Sequence, residues 1–294
     1  MNNATWSAPR WISPRQMASL QRGLTYLLLV AVGLVALGPF AWAVSGSLMT
    51  DVEVQAYPPK LLPSETQWGN YRQVWTEVPF GRWIANSLTV VAFSLVGTIT
   101  SASLVAYAFA RFRFPGRDAI FLLTLSTLML PVEVTLIPTY LLFRELGWLD
   151  TLKPLIIPTY FGGGAFNIFL MRQFLLTIPR ELDEAAIVDG ASSWRIFWRL
   201  LIPLCKPALA TVAVIGFISD WNNFMGPLIY INTTERFTVA VGIRFFQLSS
   251  IPGVLTKNHL LLAASVMVTS PCLLLFFMAQ RYFVQGIVMS GIKG

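Results

Sequence analysis

Residues 23–50 contain no charged side chain, and that run decides which solvent the chain can fold in. A helix needs about 20 apolar residues to cross roughly 30 Å of hydrocarbon. Comparable runs recur at 83–110, 119–143, 154–171, 207–231 and 258–280. Two of them carry a single acid, Glu133 in the third and Asp220 in the fifth. Lipid offers the backbone no hydrogen bonds, so each run predicts a helix. Strand alternation is missing, which argues against a membrane barrel. Only 12% of the residues are charged, against about 25% in a soluble domain, too few to cover a globule in water. The expectation is an all-α membrane protein with six transmembrane helices.

Six spans put both termini on one side of the membrane. Most of the 21 Lys and Arg residues fall on the side that holds the N-terminus, the 111–118 loop, the 172–206 segment and the C-terminus. The positive-inside rule makes that side cytoplasmic. Residues 1–22 then form a cytoplasmic N-terminal segment, 23–284 the spanning domain and 285–294 a cytoplasmic tail. No cleavable signal is expected, because the run after Arg22 is too long for one. The net charge of +7 is a topology signal, since the basic residues flank spans and form no stripe that nucleic acid would need. Cys205 and Cys272 sit in apolar stretches and read as packing residues. The one histidine, His259, leaves no Cys/His set for a metal.

The connection between spans four and five, residues 179–203, is the most informative stretch. Pro179 suits a helix start, and Glu181, Asp183 and Glu184 favour its N-terminus through the helix dipole. Leu182, Ala185, Ala186 and Asp189 follow at helical spacing, and the two alanines leave a shallow surface. Gly190 can take the left-handed cap that ends a helix, and Ser192 or Ser193 can cap a second. That second helix carries Trp194, Ile196, Phe197, Trp198 and Leu200 with Arg195 and Arg199 between them, a pattern suited to a membrane interface. Pro203 then opens the path to span five. On these properties alone, a docking element and an amphipathic loop without a partner stay equally open.

The residue order closes that choice by resemblance. Glu184-Ala185-Ala186, Gly190, then Leu200, Ile202 and Pro203 at this spacing resembles the EAA loop of ATP-binding-cassette importer permeases, with Leu200 for Ile and Ile202 for Leu as the departures. Asn70-Tyr71, Trp83-Ile-Ala-Asn86-Ser87, Tyr107-Ala-Phe-Ala-Arg111-Phe-Arg-Phe-Pro115-Gly116, Asp220-Trp221-Asn222, Pro227-Leu228 and Gln280-Arg-Tyr-Phe-Val-Gln285-Gly286 look like the same family. The chain resembles the carbohydrate-importer group, specifically its maltose-permease-G-type subunit. That resemblance implies a type I importer permease fold in a bacterial inner membrane. It implies a homologous second permease subunit, two ABC ATPase subunits that bind ATP-Mg, and an extracytoplasmic solute-binding protein. It implies that Glu184, Ala185, Ala186, Asp189, Gly190 and Pro203 couple the chain to the ATPase. It also implies that the tail, with Gln285, Gly286 and Lys293, reaches the ATPase, although a frayed end is an alternative. No Gly-x-x-x-x-Gly-Lys-Ser/Thr loop is present, so ATP hydrolysis belongs to a partner. The run at 162–164, Gly-Gly-Gly, suggests tight packing or a kink.

Acids are costly at membrane depth and should face protein or water. Glu133 lies between Pro131 and Pro138, which predicts a kinked third span. Asp220, Asn222 and Asn223 offer hydrogen bonds to a polyhydroxylated solute, or hold helices together; both readings are open. The function expected is a permease subunit for a sugar or oligosaccharide, with a polyol or glycerophosphodiester as the alternative substrate. The rival from another class is an ion-coupled secondary transporter, which would show internal repeats that are not evident here.

Overall fold

The computed structural model describes residues 14–248 and 257–291. All regular structure among them is helical. Helix α1 (Pro14–Ser47) is followed by short α2 (Asp51–Val54) and α3 (Gly69–Glu77), and then by long α4 (Phe80–Arg111). Helices α5 (Arg117–Ser126) and α6 (Val132–Glu145) are joined through the 3-10 turn Thr127–Met129. Next come α7 (Lys153–Ile156), a 3-10 turn (Ile157–Tyr160) and α8 (Ala165–Thr177). The connection holds α9 (Glu181–Val188), α10 (Ser193–Arg195), a π-helical stretch (Ile196–Leu201) and α11 (Ile202–Leu204). The chain ends with α12 (Lys206–Trp221), α13 (Met225–Tyr230), α14 (Val239–Leu248) and α15 (Asn258–Gly291).

Four segments have the length and composition of a span: Ser19–Ser47, Phe80–Arg111, Lys153–Thr177 and Asn258–Gln280. Two bent pairs bring the number to six if each is one span. The third span bends by 100° between its halves, more sharply than a proline kink, because Pro131 starts a fresh helix instead of interrupting one. The fifth is interrupted too. Helix α12 has 16 residues, rising about 24 Å, and the chain breaks at 222–224 before α13 continues. Before α12 the chain turns by 75°. At the other extreme, α15 has 34 residues, about 51 Å of helix, and runs on through Gln285 and Gly286. The end of the spanning domain expected at 284 is therefore not a break in secondary structure.

Helix α4 organises the molecule because its two ends enter two separate cores. Phe80, Trp83 and Val91 join Trp221, Phe237, Val239 and Leu260 in one. Ala102, Ala106, Phe109 and Ala110 join Ile168, Met171, Phe197 and Leu201 in the other, at the Arg-rich end. Between them α4 presents small residues to the broken fourth span. The Ser94 and Ser101 hydroxyls donate to the Leu155 and Thr159 carbonyls at 3.0 and 2.9 Å, serving backbone that the break leaves without helical partners. Gly163 has a φ of +65°, and a Cβ there would stand 2.6 Å from the Thr98 carbonyl oxygen and 2.8 Å from the Ala102 Cβ. The glycine run thus provides both the packing and the break. Gly163→Ala is expected to cost roughly 1–3 kcal/mol through overpacking, read as a lower melting temperature of the detergent-purified protein. An unchanged melting temperature would refute the close approach.

Family-like residues at the opposite end of the bundle are structural. The Asn70 amide donates to the Ser47 and Met49 carbonyls, both at 2.9 Å, which satisfies orphan carbonyls at the end of α1. The Tyr71 and Ser47 hydroxyls pair at 2.7 Å.

The candidate coupling loop and the polar breaks in the spans

Helix α9 forms where its sequence predicts. Glu181, Asp183 and Glu184 occupy its first turn, where the dipole favours them. Gly190, at φ +75°, ends it. The Ala191 N–H donates to the Ala186 carbonyl and the Gly190 N–H to the Ile187 carbonyl, each at 2.9 Å, which together make a Schellman cap. Of the two possible second caps, Ser192 is used: its hydroxyl accepts from the Arg195 N–H at 3.3 Å.

The two faces of α9 differ. Ala186 packs on the Arg-rich-end core and Asp183 is partly buried. Glu184, Ala185 and Asp189 point outward beside Ile187 and Val188, which are 62% and 86% exposed. Two aliphatic side chains so fully presented on a helix outside the spans form an uncovered apolar patch with an acidic rim. Of the two alanines expected to leave a shallow surface, only Ala185 is outward; Ala186 packs α9 on its own bundle.

The second half of the loop is anchored rather than free. Ile196, Phe197 and Leu201 are buried, while Trp194 and Trp198 are exposed. The π ladder leads to Pro203, which has no N–H to give and needs room for its ring. Pro203 lies inside α11, and the turn toward α12 comes at Cys205.

One feature the residue pattern did not reveal is how α9 is fastened. The Arg111 Nε lies 2.6 Å from Asp183 Oδ2, with both side chains largely buried. Burial raises the Asp183 carboxyl above its usual range, and Arg111 and then Arg180 oppose the rise. Asp183 had a local role as a dipole acid, and Arg111 sat in a family-like motif on another helix. Nothing local pairs them.

Glu133, Asp220, Asn222 and Asn223 all sit at helix breaks. Glu133 is exposed in the first turn of α6, beside the 100° bend. Asp220 is partly buried near the end of α12, and no hydrogen bond or ion pair among the described residues holds its carboxylate. The asparagines are partly committed to backbone. The Asn222 amide donates to the Ile218 carbonyl at 2.8 Å, and the Asn223 side-chain oxygen accepts from the Gly226 N–H at 3.1 Å. They cap the two sides of the break. Trp221 is buried, stacks on Phe217 at 5.6 Å and donates its indole N–H to the Val268 carbonyl, so it is a packing residue. Of the tail residues, Gln285 and Gly286 lie within α15. Lys293 lies outside the described residues.

Bent apolar helices with polar side chains at their breaks, and an exposed hairpin outside the bundle, are the parts of a transport permease. The family described as binding-protein-dependent transport system inner membrane component matches residues 95–289. The sn-glycerol-3-phosphate transport system permease protein UgpE of Yersinia enterocolitica is 37% identical over 284 residues, covering 93% of this chain and 99% of that one. The arabinooligosaccharides transport system permease protein AraQ of Halalkalibacterium halodurans is 34% identical over 234 residues, 79% of this chain and 81% of that one. Among solved structures, a chain from a bacterial ABC transporter involved in the import of the acidic polysaccharide alginate superposes with a TM-score of 0.81. It is 26% identical, with 94% of this chain and all of that chain covered.

The chain belongs to the binding-protein-dependent transport system inner membrane component family, as a permease subunit of an ATP-driven importer. It is a non-catalytic subunit, and a separate partner hydrolyses the ATP.

Proposed function

We propose that this chain forms half of the pathway of a sugar or oligosaccharide importer and couples it to the ATPase through α9. The observation that carries the coupling is the outward face of α9, where Ile187 and Val188 stand exposed beside Glu184, Ala185 and Asp189. Glu184 would make the polar contact, Ala185 would permit close approach, and Gly190 and Pro203 would shape the two ends of the loop. The tail residues Gln285, Gly286 and Lys293 would add a second contact. A homologous second permease, two ABC ATPases carrying ATP-Mg and an external solute-binding protein complete the assembly. The Arg-rich side, with both termini, faces the cytoplasm on the charge bias.

In the pathway, Glu133 and Asp220 mark the breaks that face water, since irregular backbone at membrane depth belongs where it lines a cavity or is buried in protein. A polyhydroxylated solute suits these acceptors, and the spans carry no Arg or Lys at mid-depth for a phosphate. A glycerol phosphate ester is the second reading, favoured by the 37% identical relative; its cationic partner would then come from the second permease. Cells with and without this chain, supplied with labelled arabino-oligosaccharide or sn-glycerol-3-phosphate, separate the two. Oligosaccharide uptake that requires the chain and ATP is expected. Uptake of the phosphate ester alone would select the second reading, and chain-dependent uptake that survives ATP depletion would refute both.

A further inference from the structure

Two arginines cross between the end of α4 and the entry to α9. Arg111, the last residue of α4, donates from Nη2 to the Ile178 carbonyl at 3.0 Å while its Nε meets Asp183. Arg180, just before α9, donates from Nη2 to the Ala110 carbonyl in the last turn of α4 at 3.1 Å. Each arginine thus takes a backbone carbonyl from the other's segment. Beyond Gly190, the Tyr107 hydroxyl donates to the Ser193 carbonyl at 3.2 Å. One turn of α4 therefore holds the loop before α9, within α9 and after its cap.

Stability alone does not account for this arrangement. The Arg111 and Asp183 side chains are 6% and 15% exposed, and the desolvation of such a pair largely offsets its attraction. The Asp183 Oδ1 and the Arg111 Nε are both buried without a hydrogen-bond partner among the described residues, so the pair meets by charge alone, at a cost that a purely apolar contact would avoid. What charge and fixed guanidinium geometry supply is register: a packed apolar face can slide, whereas this set of contacts fits one position of α9.

We propose that Arg111, Arg180 and Asp183, with Tyr107, form a crossed clamp that makes α4 the helix through which movement of the α9 hairpin enters the bundle. Helix α4 packs on α8 and α12 and reaches both cores, so its displacement reaches four spans. These are positioning residues, and the inference rests on the reading of α9 as the ATPase dock.

The test uses the whole transporter, purified through this chain and reconstituted with its binding protein, and reads solute moved per ATP hydrolysed. Asp183→Asn and Arg111→Gln are expected to retain the ATPase on co-purification and to lower that ratio at least about tenfold. Tyr107→Phe removes one hydroxyl and should lower it about threefold even if the charge variants fail to accumulate. Glu184→Lys, on the outward face, should instead lose the ATPase. If Glu184→Lys binds and couples like the parent, the docking reading fails. If Glu184→Lys loses the ATPase while Asp183→Asn and Tyr107→Phe transport with the parent ratio, the clamp alone is overturned.

Discussion

Replacing Gly190 by valine is expected to lower uptake at least about tenfold while the protein still inserts into the membrane. The cause is backbone sign rather than bulk. A Cβ at Gly190 would meet nothing within 4 Å, so a side chain has space, but its φ of +75° lies where L-residues are strained. The left-handed conformation costs roughly 1–2 kcal/mol for an ordinary residue, and a β-branched one fits it worst. A cost of about 1.4 kcal/mol is a tenfold shift in an equilibrium. Relieving the strain means giving up the two cap bonds from Ala191 and Gly190. The chain then leaves α9 in another direction, and the Ser193 carbonyl held by Tyr107 moves with it. Asparagine tolerates the same φ, so Gly190→Asn should keep most of the uptake although it is far larger than glycine. The measurement is solute uptake set against membrane abundance for the two variants. Equal uptake by valine and asparagine would mean that the cap geometry plays no part in coupling.

This sharpens what the loop's residues alone could say. Propensity and the dipole marked α9, Gly190 and a serine cap, because each is a local effect confined to a few neighbouring residues. The faces of the helix were not local. Ala185 and Ala186 are equivalent in sequence, and only packing against the core at the Arg-rich end separates them. The clamp was least visible, because its partners belong to segments separated by spans three and four. In the membrane the balance is similar. Apolar length revealed α1, α4 and the span at Asn258–Gln280, since a bilayer selects for length and composition. The breaks were half legible. Pro131 and Pro138 announced a kink, yet the 100° turn depends on how two short helices pack. Asn222 and Asn223 carried the right chemistry for a solute, but much of it goes to capping the ends of α12 and α13. A short polar side chain next to a helix end has a backbone group within reach before any ligand arrives.

Trp83→Ala should give the largest loss of stability. Trp83 is fully buried in the core opposite the clamp, and its indole N–H donates to the Thr234 carbonyl at 2.7 Å. It fits so closely on α14 that a Cβ at Gly242 would lie 2.3 Å from its ring. Around it the Asn86 amide donates to the Glu235 and Phe237 carbonyls, and the Ser87 hydroxyl accepts from the Val239 N–H. Trp83 is thus the peg by which α4 holds the 232–238 connection and the start of α14. Truncation to alanine costs about 3–5 kcal/mol in comparable cores, and the Thr234 carbonyl keeps only the Phe237 N–H as donor. Trp83→Phe keeps most of the ring volume and loses the N–H, so a smaller cost of roughly 1–3 kcal/mol applies. Thermal unfolding in detergent, followed by size-exclusion chromatography, should rank parent, phenylalanine and alanine in that order, with the alanine variant scarce in membranes. A parent-like melting temperature for Trp83→Ala would remove the peg from the account. The same helix then offers an internal contrast. Phenylalanine at position 83 should lower stability while leaving solute moved per ATP unchanged, whereas phenylalanine at position 107 should do the reverse. The two ends of α4 would then be separable, one holding the bundle together and the other receiving its motion.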